Sequence, residues 1–371
     1  MEKKVVVGMS GGVDSTVAAY LLKEAGYSVI GVTLQIWDEY SIKEFEKTCC
    51  GYHNIRDAQV CAERLKIPHY LIDLRKKFKE IVIKDFINNY LLGFTPNPCV
   101  ECNRYIKFLA LLDFSKKVSA QYIATGHYAQ IIKSDNSYFL KRAKSIKEDQ
   151  TYFLYPLTDE ILEKTLFPLG EKSKEEVREI ALKLSLPVAK KKKSQEICFI
   201  PDKKYYDFIL KVLDKENIQF KKEGPIYLVE NGKVIFLGTH KGIYHYTIGQ
   251  RRGLRIPYKE RLYVLRIDKE NNAIYVGKKE LVYKRRFLLK KELWKIKDEN
   301  KTYLCQIRNV HTPSEIRIKN FEEDVLLCEF LKPQWAITPG QKAVFYDLNN
   351  EIVVGGGTIL KVLDDYSEAS N

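Results

Sequence analysis

The first residues that could carry chemistry form the run Ser10–Ser15 (SGGVDS), which follows an apolar segment and precedes a helical pattern. A strand, a glycine turn and a helix in this order make a phosphate cradle. The glycines let backbone N–H groups turn inward, and the helix adds its positive end. The two serine hydroxyls can donate to phosphate oxygens, whereas Asp14 suits a metal ion. No lysine follows the glycines, so the run is not a Walker A loop. The pattern favours a nucleotide site over a ligand-free turn.

Two cysteines lie in polar, basic surroundings that favour chemistry over packing. Cys102 closes a proline-rich segment, and the sequence predicts that a helix begins near Asn103. The dipole of that helix, with Arg104 and Lys107 nearby, is expected to lower the pKa of the Cys102 thiol. Cys198 follows four consecutive lysines, whose positive field also favours a thiolate. Both cysteines are therefore candidates for catalysis.

The remaining cysteines have less distinctive surroundings. Cys61 lies in a helical pattern, and Cys305 and Cys328 lie in alternating strand patterns. We expect all three to be small apolar core residues. The adjacent pair Cys49-Cys50 is ambiguous, because neighbouring cysteines make poor ligands for one ion.

Alternating strands and helices must position these motifs. Strands are predicted at 28–34, 68–74 and 121–125, and helices at 54–65, 75–92 and 103–117. Such alternation predicts an α/β doubly wound parallel sheet with its ligand at the carboxyl ends of the strands.

Beyond residue 223 the pattern changes to short β-type runs separated by Gly, Asn and Asp. This pattern predicts a small β-rich middle domain and a C-terminal antiparallel β-barrel. The expected division is a catalytic domain at 1–205, a central domain at 206–282 and a barrel at 283–371.

Composition narrows the class of protein. The 371 residues include 62 Lys and Arg against 48 Asp and Glu, a net charge of +14. This excess suits a nucleic-acid partner, although genome bias or heat adaptation explains a lysine-rich composition equally well. No apolar run approaches the ~18 residues of a membrane span, and no signal-peptide pattern is present. We expect a cytoplasmic protein whose eight cysteines form no disulfide framework.

Taken together, the motifs resemble a known family. The run Ser10–Ser15 resembles the SGGxDS loop of the PP-loop ATP pyrophosphatases, which have an adenine nucleotide hydrolase-like fold. Over its whole length the chain resembles the tRNA-specific 2-thiouridylases of the MnmA type. Six stretches in the same order carry this resemblance: Gly8–Ser15, Asn97–Phe108, Ala124–Ala129, Asp149–Leu154, Ser194–Ile200 and Tyr246–Leu254.

The resemblance implies a reaction. ATP, with Mg²⁺, would activate the C2 oxygen of the wobble uridine in the tRNAs for Lys, Glu and Gln, and AMP and pyrophosphate would be released. Cys198 would carry a persulfide and Cys102 would be the nucleophile that releases its sulfur, with Asp14 as the third catalytic residue. The sulfur would come from a cysteine desulfurase or a sulfur-relay protein, and the enzyme is expected to be a monomer.

The resemblance also implies individual contacts. The ATP site would comprise Gly8, Met9, Ser10, Gly11, Gly12, Val13, Asp14, Ser15, Leu34 and Gly126. The target base would meet Asn97, Pro98 and Cys99. The tRNA would contact His127, Glu148, Asp149, Gln150, Arg308, Asn309 and Gln341.

One residue departs from the family pattern, because many members have Asp where this chain has Cys99. With Cys102 and Cys198, Cys99 makes three thiols, a candidate ligand set for a [4Fe-4S] cluster with one open iron that binds sulfide. Alternatively, Cys99 merely replaces Asp in a persulfide route. A structural zinc is disfavoured, because no fourth ligand is evident nearby. The first two alternatives stay open.

Rival functions share some of these features. Lysidine, GMP and argininosuccinate synthetases carry the same loop, but a lysidine synthetase-like enzyme acting on tRNA would not need the two cysteine stretches. A non-enzymatic RNA-binding protein would not need the loop at Ser10–Ser15.

Overall fold

The computed structural model describes residues 3–37, 52–191, 197–200, 205–254, 256–295, 298 and 301–363. Cys49-Cys50 and the stretch 194–196, singled out in the sequence, lie outside the described residues. The chain divides into two compact units. Unit 1 comprises Met1–Ile83, Pro98–Lys204 and Asn349–Val353, and unit 2 comprises Lys84–Asn97, Tyr205–Leu348 and Val354–Asn371. The three-domain division at 205/206 and 282/283 stays a prediction.

The described α-helices are α1 (Val13–Glu24), α2 (Tyr52–Leu65), α3 (Arg75–Phe78), α4 (Lys84–Leu91), α5 (Pro98–Cys102), α6 (Phe108–Lys117), α7 (Thr151–Leu154), α8 (Asp159–Glu163), α9 (Lys174–Lys183) and α10 (Tyr205–Lys215). Two π-helical turns, Lys79–Ile83 and Asn103–Lys107, connect α3 to α4 and α5 to α6. Among the described residues, no helix is long and apolar enough to cross a membrane.

The described strands are β1 (Lys4–Gly8), β2 (Ser28–Gln35), β3 (His69–Asp73), β4 (Tyr122–Thr125), β5 (Gln130–Ser134), β6 (Ser137–Lys141), β7 (Thr165–Leu166), β8 (Gly224–Glu230), β9 (Lys233–His240), β10 (Tyr263–Asp268), β11 (Ala273–Gly277), β12 (Tyr283–Trp294), β13 (Tyr303–Gln306), β14 (Ser314–Glu322), β15 (Val325–Trp335), β16 (Lys342–Tyr346) and β17 (Val353–Leu363).

A parallel sheet forms the centre of unit 1. Its order is β3-β2-β1-β4-β7, and every pair in it is parallel. The apolar residues of β1, Val5, Val6 and Val7, are fully buried, as expected of a parallel strand that is covered on both faces. The doubly wound α/β class is therefore confirmed. Because β1 and β4 are neighbours, the loops that leave their carboxyl ends must lie side by side.

Unit 2 contains two all-β parts. A four-stranded sheet has the order β10-β11-β8-β9, and six strands close a barrel in the order β12-β15-β14-β13-β16-β17. The ladders β12–β15, β12–β17, β13–β14, β13–β16 and β14–β15 are antiparallel, which confirms the predicted barrel. Cys305 and Cys328 are fully buried in the barrel core, and Cys61 is fully buried in the core of unit 1, as predicted for all three.

The helix that carries Cys102 starts earlier than the sequence predicted. It begins at Pro98, and the chain continues through the π-turn into α6 without a break. Proline suits the first helical position, because the N–H it lacks would have no partner in the helix. Asn103 is consequently not a helix cap; it is a buried residue within the helical run. The predicted start near Asn103 was wrong for this reason.

Candidate active site

The loop between β1 and α1 is a tight turn whose shape depends on Gly11. This residue has a φ of +67°, in the left-handed region. A Cβ placed on it would lie 2.1 Å from the backbone oxygen of Asn54 in α2. Both facts exclude a side chain here, so the sequence prediction of a glycine-dependent turn at this strand–helix junction agrees with the geometry.

The two serines of the loop hold it in one conformation. The backbone N–H of Ser10 donates to Ser15 Oγ at 3.1 Å, and Ser15 Oγ donates to the carbonyl of Gly12 at 3.2 Å. The two hydroxyl oxygens are 3.3 Å apart. Either hydroxyl can donate to the other, and these contacts tie Ser10 to the first turn of α1.

Gly126, which follows β4, packs directly against this loop. A Cβ on Gly126 would lie 2.6 Å from both the Asp14 carbonyl carbon and the Ser15 nitrogen, so only glycine fits. The sequence placed Gly126 in the nucleotide pocket, and the fold does bring it to the loop. Leu34, the other predicted pocket residue, lies near the end of β2, the strand that pairs with β1, and is half-buried.

Asp14 is held by two side chains that the sequence did not single out. Its Oδ1 accepts a hydrogen bond from the Tyr128 hydroxyl at 2.9 Å and forms an ion pair with Lys174. Lys174 is buried, and burial together with the neighbouring Asp14 raises the pKa of Tyr128. Among the described residues, Oδ2 of Asp14 has no partner. One open carboxylate oxygen beside a phosphate cradle fits Mg²⁺, which takes its other ligands from water and phosphate.

The three candidate cysteines form a second cluster in unit 1. Cys102 is buried, and Cys99 and Cys198 are partly exposed. The three thiols are close enough to influence one another electrostatically. Cys198 is anchored by its neighbour Phe199, which is buried and packs edge-on against Phe78 with ring centroids 5.5 Å apart.

Burial keeps the Cys99 and Cys102 thiols protonated, and for Cys102 this contradicts the sequence prediction. Burial raises the pKa of Cys102 to about 12, and the positive charge of Lys107 only partly offsets it. Burial and the nearby Cys198 likewise raise the pKa of Cys99 to about 12. The expected thiolate at Cys102 was wrong, because desolvation outweighs a helix end and a single lysine.

His127 connects the loop at Ser10–Ser15 with the cysteine cluster. Its Nε2 lies 3.5 Å from Lys107 Nζ, and its Nδ1 lies 2.7 Å from Thr125 Oγ1. Because an ammonium group can only donate, Nε2 accepts and Nδ1 carries the proton. Burial and Lys107 lower the pKa of His127 well below its ordinary value, so the ring is neutral. Gly126 packs on the loop at Ser10–Ser15, and His127 contacts Lys107, whose charge acts on Cys99 and Cys102. Adjacent residues therefore link the loop to the cysteine cluster.

Three domain models match this chain in sequence. One described as a tRNA methyl transferase HUP domain matches residues 3–202, a tRNA methyl transferase PRC-barrel domain matches 211–278, and an aminomethyltransferase β-barrel domain matches 280–359.

Whole-chain comparisons decide the family. The chain is 47% identical over 369 residues to tRNA-specific 2-thiouridylase MnmA 1 of Caldanaerobacter subterraneus subsp. tengcongensis, covering 97% of this chain and 99% of that protein. It is 46% identical to the MnmA of Lachnoclostridium phytofermentans, covering 97% of this chain and 100% of that protein. For the MnmA of Clostridioides difficile the identity is 43%, with 98% and 99% covered.

The chain belongs to the tRNA-specific 2-thiouridylase family. The resemblance noted in the sequence is confirmed, and so is the prediction of a sulfur-transferring enzyme. The roles of individual residues stay predictions.

In this member of the 2-thiouridylase family, residues 148–150, which the sequence predicted to contact tRNA, are buried or bonded to other residues of unit 1. The side chain of Asp149 is 2% exposed and forms a 2.7 Å ion pair with Arg142, which is 6% exposed. Gln150 accepts a hydrogen bond from the Tyr128 N–H at 3.0 Å. Glu148 is buried as well.

The predicted contacts in unit 2 differ among themselves. Asn309 is exposed. Arg308 donates to the carbonyl of Trp335, and Gln341 Nε2 donates to the carbonyl of Thr95 at 3.0 Å. Only Asn309 of these three therefore presents an exposed residue to a partner.

The candidate iron–sulfur ligand set does not fit this geometry. Among the described residues, no three His, Cys, Asp or Glu side chains are arranged to hold a metal ion, and Cys99, Cys102 and Cys198 are all described.

Sequence reasoning missed several residues around the site. Lys174 and Lys191 contact the phosphate loop from positions 160 and 180 residues away from their partners there. Asn103 is buried; its Nδ2 donates to the Phe153 carbonyl at 3.0 Å, but its Oδ1 has no partner. The only sequence signal for Lys191 was its place in a run of four lysines.

Proposed function

We propose that this chain replaces the C2 oxygen of the wobble uridine in the tRNAs for Lys, Glu and Gln by sulfur, using ATP. The observation that carries the proposal is the link from the loop at Ser10–Ser15 through Gly126 and His127 to Lys107, whose charge acts on Cys99 and Cys102. An adenylating site alone would not need thiols beside it, and thiols alone would not need a nucleotide loop.

The first half-reaction is adenylation. The C2 oxygen of the uridine attacks the α-phosphate of ATP, and pyrophosphate leaves. The loop N–H groups and the N-terminal end of α1 stabilise the negative charge on the phosphates. Mg²⁺, bound by Asp14, would neutralise part of that charge when present. The uridine must leave its stack to expose C2, so a flipped base is required.

The second half-reaction transfers sulfur. Cys198 carries a persulfide delivered by a cysteine desulfurase or a relay protein. Cys102 gives up its proton and attacks the inner sulfur, releasing hydrosulfide and leaving a Cys102–Cys198 disulfide. The hydrosulfide attacks C2, and AMP departs with the original oxygen. An external dithiol then reduces the disulfide and restores both thiols.

The raised pKa of Cys102 makes deprotonation a distinct requirement of this route. Lys107, whose charge lowers the pKa of Cys102, can stabilise the thiolate once the proton has left for solvent. Cys99 then contributes an uncharged thiol against the target base in place of the more usual Asp.

The test compares Cys102→Ser and Cys198→Ser with the wild-type enzyme. Both variants should still release pyrophosphate in a tRNA-dependent burst but form no 2-thiouridine, as measured by mass spectrometry of digested tRNA. Full thiolation by either variant would exclude this sulfur route. Pyrophosphate release without sulfur incorporation in wild type would instead favour a lysidine synthetase-like activity.

The cluster alternative has its own experiment. After anaerobic reconstitution with iron and sulfide, we expect no stoichiometric iron and no dependence of the thiolation rate on added iron. Stable iron binding that Cys99→Ser abolishes, together with loss of the rate, would contradict the persulfide route.

A further inference from the structure

The phosphate loop has no lysine of its own, yet a lysine lies on it. Lys191 Nζ donates a 3.0 Å hydrogen bond to the carbonyl of Gly11, a residue 180 positions earlier in the chain. A Walker A loop places its lysine directly after the glycines, where it binds the β and γ phosphates. Here the fold supplies a lysine to the same kind of turn from a distant segment.

The other contacts of Lys191 come from α2. Its ammonium forms a 2.7 Å ion pair with the carboxylate of Asp57 and a hydrogen bond with Asn54 Oδ1. The backbone of Asn54 is also the surface against which Gly11 closes. The ammonium therefore lies between the glycine turn and the N-terminal part of α2.

The ammonium is accessible to a ligand and only partly neutralised. The side chains of Lys191 and Asp57 are each 37% exposed, and among the described residues Asp57 is the single carboxylate that the ammonium contacts. Lys174, the other lysine at the loop, has a side chain that is only 10% exposed and is paired with Asp14. Of these two lysines, Lys191 is the one that a phosphate can reach from solvent.

We propose that Lys191 binds the pyrophosphate portion of the nucleotide, exchanging its contact with Asp57 for a phosphate oxygen. The proposal rests on the proposed use of ATP. Adenylation places new negative charge on the departing pyrophosphate, and a cation at that point stabilises it. The geometry thus gives the loop the lysine that its own sequence lacks.

The test measures equilibrium binding of ATP, AMP and inorganic pyrophosphate by calorimetry. Lys191→Met should weaken ATP and pyrophosphate at least about 10-fold, which is the effect of losing one charge-assisted hydrogen bond, and should leave AMP within about twofold. Lys191→Arg, which keeps the positive charge, should bind ATP and pyrophosphate with affinities between those of wild type and Lys191→Met. Lys190→Met is the matched control, because it removes one positive charge from the adjacent, exposed position, and it should bind all three ligands like wild type.

Asp57→Asn separates ligand binding from a purely structural tie. If Lys191 binds phosphate, removing its competitor should leave ATP affinity equal or higher. If Lys191 only fastens the loop to α2, Asp57→Asn should weaken ATP as Lys191→Met does, and both should lower the melting temperature.

Three results would overturn the proposal. One is that Asp57→Asn weakens ATP binding and lowers the melting temperature as Lys191→Met does. The others are that Lys191→Met weakens ATP and AMP equally, or leaves the ATP affinity unchanged. A wild-type protein that binds pyrophosphate but not ATP would contradict the proposed function instead.

Discussion

The ammonium of Lys107 lies near enough to the thiol of Cys102 to lower its pKa, although the two residues are five positions apart. In an α-helix, residues five apart lie on different faces. The intervening π-helical turn, Asn103–Lys107, closes i to i+5 hydrogen bonds and so brings such residues to one face. The cation is therefore placed by an irregularity in the helix, and π-turns of this kind often occur at functional sites.

Lys107→Met should make Cys102 less reactive. With the thiol pKa at about 12, the thiolate fraction in wild type is small and should grow about 10-fold per pH unit from pH 7 to 10. Removing the cation raises the pKa further, so alkylation of Cys102 by iodoacetamide, followed by mass spectrometry, should be slower at every pH. Lys116→Met, on the exposed end of α6, should match wild type. A rate that levels off near pH 8 would show that the thiol pKa is not raised.

The two glycines of the phosphate loop should respond differently to alanine. Gly11→Ala combines a φ of +67° with a 2.1 Å overlap on Asn54, so we expect a loss of about 2 kcal/mol or more in unfolding free energy and loss of ATP binding. Gly12 has a φ of −107°, and its added Cβ would meet only the Ser10 hydroxyl at 3.4 Å. Gly12→Ala should therefore unfold like wild type in urea. Equal stability of both variants would contradict the strained geometry at Gly11.

The sequence predicted what depends on local pattern. The loop at Ser10–Ser15, the parallel sheet, the barrel and the core cysteines follow from periodicity, glycine spacing and polarity, and the structure agrees. The S-x-x-E spacing of Ser173 and Glu176 also predicts a capping box at the start of α9, and both of its hydrogen bonds form.

What the sequence could not supply depends on long-range packing. The partners of Asp14 and Gly11, Lys174 and Lys191, come from segments more than 150 residues away. The charge state of Cys102 follows from burial, which local sequence does not encode; the nearby lysines pointed to the opposite sign. The helix start at Pro98 was missed because proline was interpreted as a helix breaker, whereas it suits the first helical position.

We expect Asp149 to contribute to the free energy of unfolding more than to tRNA binding. Asp149→Ala leaves the guanidinium of Arg142 buried without its carboxylate, so we expect a loss of about 3–5 kcal/mol in unfolding free energy. The double variant Arg142→Met with Asp149→Leu should recover part of this loss, because it leaves no buried charge. Urea unfolding measures both. Wild-type stability in Asp149→Ala, with weaker tRNA binding, would instead support a direct contact.

Gln341 and Asn309 resemble each other as candidate tRNA contacts but should differ in effect. Gln341 Nε2 donates to the Thr95 carbonyl, and the Thr95 N–H donates to the Pro339 carbonyl at 2.9 Å, so this turn of unit 2 fixes the backbone four residues before Cys99. Gln341→Ala removes one of the two bonds and should cost about 1 kcal/mol in unfolding free energy.

Because Thr95 lies three residues before α5, the helix that carries the proposed nucleophile Cys102, we expect Gln341→Ala to reduce kcat for thiolation more than it weakens tRNA binding. Asn309→Ala is the comparison, since Asn309 is exposed. It should keep the wild-type melting temperature and kcat but raise the Kd for tRNA. If instead Gln341→Ala raises Kd with kcat and stability unchanged, Gln341 contacts tRNA and does not position the cysteine helix.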